Sequence, residues 1–153
     1  MLNRLIASFY KFIAYPLLRI YWFTLRPKTN SVEVIIQHQD QVLFVKNTYY
    51  QNNYWFLPGG EAKKNEKPEV AATRETREEL NIDLKSLKNH GSFDFTQEYK
   101  KDTVWVLSTK IPNLNFKSDQ KEIKEVIWIK IKDFPKFPLS PNTKKCLKLA
   151  HLA

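Results

Sequence analysis

The sequence predicts an α+β domain, with a β-rich core carrying one central and one terminal helix, preceded by a basic helical segment. Three observations predict it. Runs rich in β-branched and aromatic residues recur between residues 31 and 131, several with period-two alternation. A single stretch of good helix formers, "KPEVAATRETREEL", interrupts them, and a second short one, "SPNTKKCLKLAHLA", closes the sequence. Finally, 153 residues with 42% hydrophobic and 14% aromatic content exclude a disordered chain and suffice to bury roughly two thirds of the unfolded surface around one core.

The first segment, "MLNRLIASFYKFIAYPLLRIYWFTLRPKTN", differs from everything after it. Arg4, Ser8, Lys11, Arg19 and Arg26 recur at steps of three and four or their sums, placing them on one narrow helical stripe opposite a broad apolar face. The longest uncharged run is the seven residues between Lys11 and Arg19, far short of the ~20 needed to span a bilayer. No small-residue cleavage site follows, so a secretory signal peptide is not expected. Two readings stand for residues 1–26: an amphipathic helix, bent at Pro16, on an anionic membrane surface, or a helix packed on the domain or on a twin subunit as a homodimer. "RPKTN" reads as a linker, dividing the chain into a helical segment, 1–30, and a folded domain, 31–153.

Next come "SVEVIIQHQ" and "QVLFVKNT", a hairpin turning around Gln39 and Asp40. "YWFLPGG" reads as a further short strand ending in a turn. The central helix has Pro68 at its first position and Glu69 in its first turn; Lys67 is a poor cap, and Asn81 tolerates the left-handed dihedrals of a helix end. "SFDFTQEY" and "TVWVLSTKI" are strands around "KKD", "EVIWIKI" is an alternating strand, and Ser140 caps a last helix beginning at Pro141.

The formal charge is +9, and residues 1–32 hold Arg4, Lys11, Arg19, Arg26 and Lys28 without one acid. Such a balance favours polyanionic partners. The body of the chain has no block of Lys and Arg interleaved with aromatics, so a specific nucleic-acid partner is not expected. Cys146 has no partner for a disulfide or a Cys-based zinc site and reads as a reduced, partly buried thiol in a cytoplasmic protein, with a peripheral place at the inner membrane surface as the alternative.

Against this basic background, "RETREELNI" gathers Glu75, Glu78 and Glu79 on an arc of about 100° of the central helix. Like charges at these spacings cost roughly 0.2 to 0.5 kcal/mol per pair. Arg74 can bridge Glu78 one turn away, but one guanidinium does not balance three carboxylates. Hard oxygen ligands on one rigid face are what Mg²⁺ or Mn²⁺ select, although a solvated acidic face fits the three glutamates taken alone. Upstream, "LPGGEAKKNE" holds two of the chain's three glycines, Gly59 and Gly60, side by side, and glycine lets backbone approach a metal or phosphate closely.

The run of Gly60, five residues, Glu66, seven residues and then Arg74 through Ile82 resembles the Nudix box of the Nudix hydrolase family. The charged positions and the first glycine match; Thr76 stands where the family has an aliphatic residue and Asn81 where it has glycine. With the flanking "YWFLPGG" and "EVIWIKIKDF", the resemblance runs from about residue 31 to the end. It implies a mixed sheet sandwiched between helices, and hydrolysis of a pyrophosphate bond in a nucleoside diphosphate linked to another moiety. Glu75, Glu78, Glu79 and the Gly59 carbonyl would hold Mg²⁺ or Mn²⁺, Arg74 would hold the glutamates in place, and Glu66 would pair with helix or loop groups.

A carboxylate must take the proton of the attacking water, and Glu78, Glu98 and Glu122 are the candidates. Tyr54 and Trp55 before the glycines, and Tyr99 in "TQEYKKD", could stack a base, with strand-core packing as the plainer role for Trp55. No phosphate-binding Gly-x4-Gly-Lys-Ser/Thr loop and no Gly-x-Ser-x-Gly elbow occurs, and His38, His90 and His151 lack metal-ligand spacing. The alternative from another class is a non-catalytic module of the same fold tethered at a membrane; such degenerate members lose box glutamates, and none is lost here.

Overall fold

The computed structural model describes residues 17, 20, 21, 23, 24, 28–49, 52–97, 100–112, 118, 119 and 121–153. Six strands, β1 (Lys28–His38), β2 (Gln41–Asn47), β3 (Gly59–Glu61), β4 (Lys88–Gln97), β5 (Lys100–Lys110) and β6 (Ile123–Lys130), form one sheet. Its order is β4-β5-β1-β2-β6, with β3 added to β1. Helix α1 (Pro68–Leu80) follows β3, and a 3-10 helix (Ile131–Lys136) and α2 (Pro141–Leu149) follow β6. The sheet is mixed because β1 runs parallel to β5 and antiparallel to β2 and β3.

Period-two alternation divides β1 between two cores, one on each face of the sheet. Val32, Val34 and Ile36 join Leu43 and Val45 beneath α1, where Ala71 and Ala72 are small enough to bring the helix close. Ile35 joins Val42, Phe44, Trp55, Leu57, Val104 and Val106 beneath α2, which contributes Cys146 and Leu147. Helices thus cover both faces, the mixed sheet between helices that the resemblance implies. The caps follow suit: Lys67 makes no side-chain cap, Asn81 takes φ 54° and ψ 38°, and the Thr143 amide donates to the Ser140 hydroxyl at 3.1 Å.

Four local expectations change. The strand begins inside "RPKTN", since Lys28, Thr29 and Asn30 pair with Lys101, Asp102 and Thr103 of β5. "KKD" is strand and not turn; Asp102 earns its place by accepting hydrogen bonds from Thr29 and Ser31 across the parallel pair. Gly59 and Gly60 open a strand instead of ending one: they pair with Glu33 and Val32, while Trp55 and Phe56 make single bridges to Leu139 and Val45. In β6 the alternation is weaker than its sequence suggests, with Ile123 and Ile129 buried and Val126 to Trp128 half-buried.

Candidate active site

The splaying of β1 from β2 creates the place for the site. The two strands pair only at Gln37–Val42 and His38–Gln41, next to their turn, and β3 slots against the freed first half of β1. This insertion demands glycine. Gly59 has φ +148°, and a Cβ there would overlap the Val32 carbonyl oxygen. At Gly60 a Cβ would lie 2.5 Å from Glu75 Oε2, so the bare backbone is what lets α1 press its carboxylates against β3.

Arg74 organises that face. Its Nε and Nη2 grip Glu66 Oε1 and Oε2 at 3.0 and 2.8 Å, its Nη1 donates to Glu75 Oε1 at 2.6 Å and Glu78 Oε2 at 3.3 Å, and Nη2 also reaches the Glu61 carbonyl at 3.2 Å. A guanidinium has five N–H donors. All are engaged here. Glu66 is further fixed by the Lys63 amide at 2.8 Å, and the Arg74 hydrogen bond, with that amide, pulls its carboxyl down to about 2. Arg74 itself is pushed up, chiefly by its hydrogen bond to Glu66. Its bidentate, charge-assisted pair ties the loop before α1 to the middle of the helix.

Glu79 is different. It is 4% exposed, Arg74 does not touch it, and its Oε2 accepts from the Gly59 amide at 3.0 Å. Burial, then the charges of Glu75, Glu122 and Glu78, push its carboxyl up to about 8 despite that hydrogen bond. Glu75 is raised too, by burial first and by Glu78 and Glu122 after Arg74 has pulled the other way. Four carboxylates therefore share one electrostatic neighbourhood with a single adjacent guanidinium.

A divalent cation fits this donor set, which is all oxygen and short of positive charge. Among the described residues, however, no three side chains already converge as a cage: Glu75 and Glu78 turn to Arg74 and Glu79 turns to Gly59. It is the Gly59 amide, not its carbonyl, that the structure shows meeting a glutamate.

The predicted residues Gly59, Gly60, Glu66, Arg74, Glu75, Glu78 and Glu79 come together, and Glu122 joins them through its charge on Glu75 and Glu79. Tyr54 is 43% exposed, whereas Trp55 lies in the α2-side core with Lys46 Nζ 4.3 Å from its ring centroid. Glu98 and Tyr99 lie outside the described residues.

Two polar groups near the site escaped sequence reasoning. Glu33, the register partner of Gly59, accepts from Asn142 Nδ2 at 2.9 Å; it keeps a strip of exposed surface, yet its Oε2 is sealed and has no hydrogen-bond partner. Burial, then Glu79, push Glu33 up to about 8. The signal was an acid in "SVEVII" sharing the phase of buried Ile35. The Asp119 amide, donating to the Glu79 carbonyl at 2.8 Å, had no sequence signal.

The NUDIX domain model matches residues 27–150. The chain belongs to the Nudix hydrolase family. Among curated proteins, this Nudix chain is similar to the diphosphoinositol polyphosphate phosphohydrolase 3-alpha of Mus musculus, 32% identical over 98 residues. That match covers 63% of the chain and 59% of the relative's length. Among solved structures, a MutT Nudix hydrolase from Burkholderia pseudomallei superimposes with TM-score 0.71 at 21% identity, over 80% of this chain and 97% of that one. A C. elegans Ap4A hydrolase does so with TM-score 0.64 at 20% identity, over 80% and 95%. At these identities the structures establish the Nudix fold, a mixed sheet between helices.

Proposed function

We propose that the chain hydrolyses, with a divalent cation, a pyrophosphate bond in a nucleoside diphosphate linked to another moiety, releasing phosphorylated products. One observation carries this reading: a buried Glu79, pinned to the Gly59 amide and crowded by Glu75, Glu78 and Glu122, in a cluster short of positive charge. Glu75, Glu78 and Glu79 would hold Mg²⁺ or Mn²⁺, with Gly59 beside them. The cation supplies neutralisation of phosphate charge and a lowered pKa for a bound water.

The chain's own groups do the rest. Arg74, anchored on Glu66, orients Glu75 and Glu78. Glu122 is the proton acceptor this reading favours over Glu78 and Glu98, because its charge reaches both Glu75 and Glu79 without a hydrogen bond to Arg74. Tyr54 offers an exposed ring for stacking a base, with Trp55 and Tyr99 as further candidates.

A second substrate class is supported by a specific observation. The curated relative at 32% identity is named for diphosphoinositol polyphosphates, and a formal charge of +9 suits so anionic a substrate. The test is a panel of dinucleoside polyphosphates, nucleoside diphosphate sugars and a diphosphoinositol polyphosphate, with Mg²⁺, Mn²⁺ or EDTA. Phosphorylated products are expected from one class, lost in EDTA and in Glu79→Gln. Equal behaviour of wild type and variant across the panel would leave the non-catalytic module standing instead.

A further inference from the structure

The amphipathic helix expected over residues 1–26 lies for the most part outside the described residues, whereas the turn that leads into β6 is held by described contacts at both ends. β2 and β6 pair in step from Gln41–Lys130 to Lys46–Glu125; a shift then brings Asn47 opposite Ile123, skipping Lys124. Such a bulge bends its strand and re-aims the side chains beside it. Glu122 stands immediately before the buried Ile123, where β6 leaves the ladder.

The main chain of Glu122 is gripped from two directions. On the β2 side, the Thr48 amide donates to the Glu122 carbonyl at 2.8 Å, and the Thr48 hydroxyl donates to the Lys121 and Glu122 carbonyls at 2.7 and 3.3 Å. On the α1 side, the Asp119 carbonyl accepts from the amides of Glu122 and Ile123 at 3.1 and 2.8 Å, and its Oδ1 accepts from the Lys121 amide at 2.9 Å. The Asp119 amide in turn donates to the Glu79 carbonyl at 2.8 Å. The turn is thus tied at one end to the rim of β2 and at the other to the last turn of α1, at the residue whose carboxylate is buried in the site. Among the described residues the Glu122 carboxylate makes no hydrogen bond or ion pair of its own, so its aim depends on the main chain beneath it. Thr48, Asp119, Lys121 and Glu122 are all exposed, and neither clasp belongs to a core. What the clasps fix is the place of an acid, and a misplacement of about 1 Å can cost on the order of 10²-fold in rate.

We propose that Thr48 and Asp119 are positioning residues for Glu122, holding it beside the glutamate face of α1. The inference rests on the hydrolytic reading and on Glu122 as the proton acceptor within it. The test uses the full chain, Mg²⁺ and the compound of the panel above that wild type turns over fastest. Thr48→Val and Asp119→Ala are each expected to lower kcat at least about fivefold with KM and the circular dichroism spectrum little changed. Thr48→Ser and Asp119→Asn, which keep the hydroxyl and the acceptor oxygen, should restore most of the rate. In a Glu122→Gln background the first two substitutions should cost nothing more, because they act through that carboxylate. In EDTA without substrate, exchange of the Glu122 amide hydrogen should be at least about fivefold faster in Thr48→Val and Asp119→Ala. Rates and exchange equal to wild type in both overturn the proposal and leave the hydrolytic reading standing. So do losses that persist in the Glu122→Gln background, or a Glu122→Gln rate equal to wild type. Absence of turnover by wild type across the panel removes the hydrolytic reading itself, and this proposal with it.

Discussion

The two faces of the sheet treat their buried carboxylates differently, although each also seals a polar atom without a partner, Thr76 Oγ1 on α1 included. Beneath α1, polar atoms are bound into a network: Arg74 engages Glu66, Glu75, Glu78 and the Glu61 carbonyl, and Gly59 holds Glu79. Beneath α2, Glu33 and Asn142 share one hydrogen bond, and Glu33 Oε2 and Asn142 Oδ1 are sealed without partners in an otherwise apolar core. An unsatisfied buried polar atom costs on the order of 1 to 3 kcal/mol. On the proposed reading, the α1 network holds carboxylates in place for chemistry.

Breaking the α1 network should have the largest effects. On the proposed reading, Glu79→Gln keeps the Gly59 contact but removes a negative charge from the cation site, and turnover is expected to fall roughly 10²- to 10⁴-fold with the circular dichroism spectrum intact. Arg74→Lys replaces a five-donor fork with a point charge, so kcat should drop at least about tenfold with a smaller change in KM, as geometry and not substrate affinity is lost. Gly59→Ala places a methyl on the Val32 carbonyl at a backbone conformation that L residues avoid; denaturant titration should show a loss of about 2 to 4 kcal/mol.

The α2 face makes a pH prediction. Glu33 is pushed up to about 8 from an ordinary 4.5, so between those values the folded chain keeps a proton that the unfolded chain has released. Its contribution to stability therefore declines as pH rises through that window. Glu33→Gln, followed by urea unfolding in EDTA, should be more stable than wild type by roughly 1 to 3 kcal/mol at pH 8 and nearly equal near pH 4. A parallel pair of curves would show that Glu33 is ionised in the fold and satisfied there. The smallest effect belongs to Thr76, whose buried hydroxyl has no partner: Thr76→Val should stabilise by about 1 kcal/mol, since the β-branched shape is kept and the stranded oxygen removed.

Thr76 and Asn81 show how far the sequence reading reached. Both depart from the family's box; Asn81 takes the left-handed conformation expected of it at the helix end, and Thr76 is packed in the core. The helices and strands followed from local patterns. The entry of β3 at Gly59 did not, because a three-residue strand has too few positions to show a period, and its partner lies 26 positions earlier at Glu33. The Glu33–Asn142 pair spans 109 positions and left only the oddity of an acid in a buried phase. Whether Glu79 was the buried glutamate among three was likewise invisible, since only the approach of β3 distinguishes it from Glu78.

The full commitment of Arg74 has one more consequence. Glu75 and Glu78 already possess a counter-ion, so on the proposed reading capture of a divalent cation there would be an exchange of partners and not the filling of a naked anionic hole. The guanidinium keeps its fork on Glu66 and its bond to the Glu61 carbonyl whichever partner the glutamates choose. On the proposed reading it therefore stays on hand to reclaim them, as a competitor for the cation.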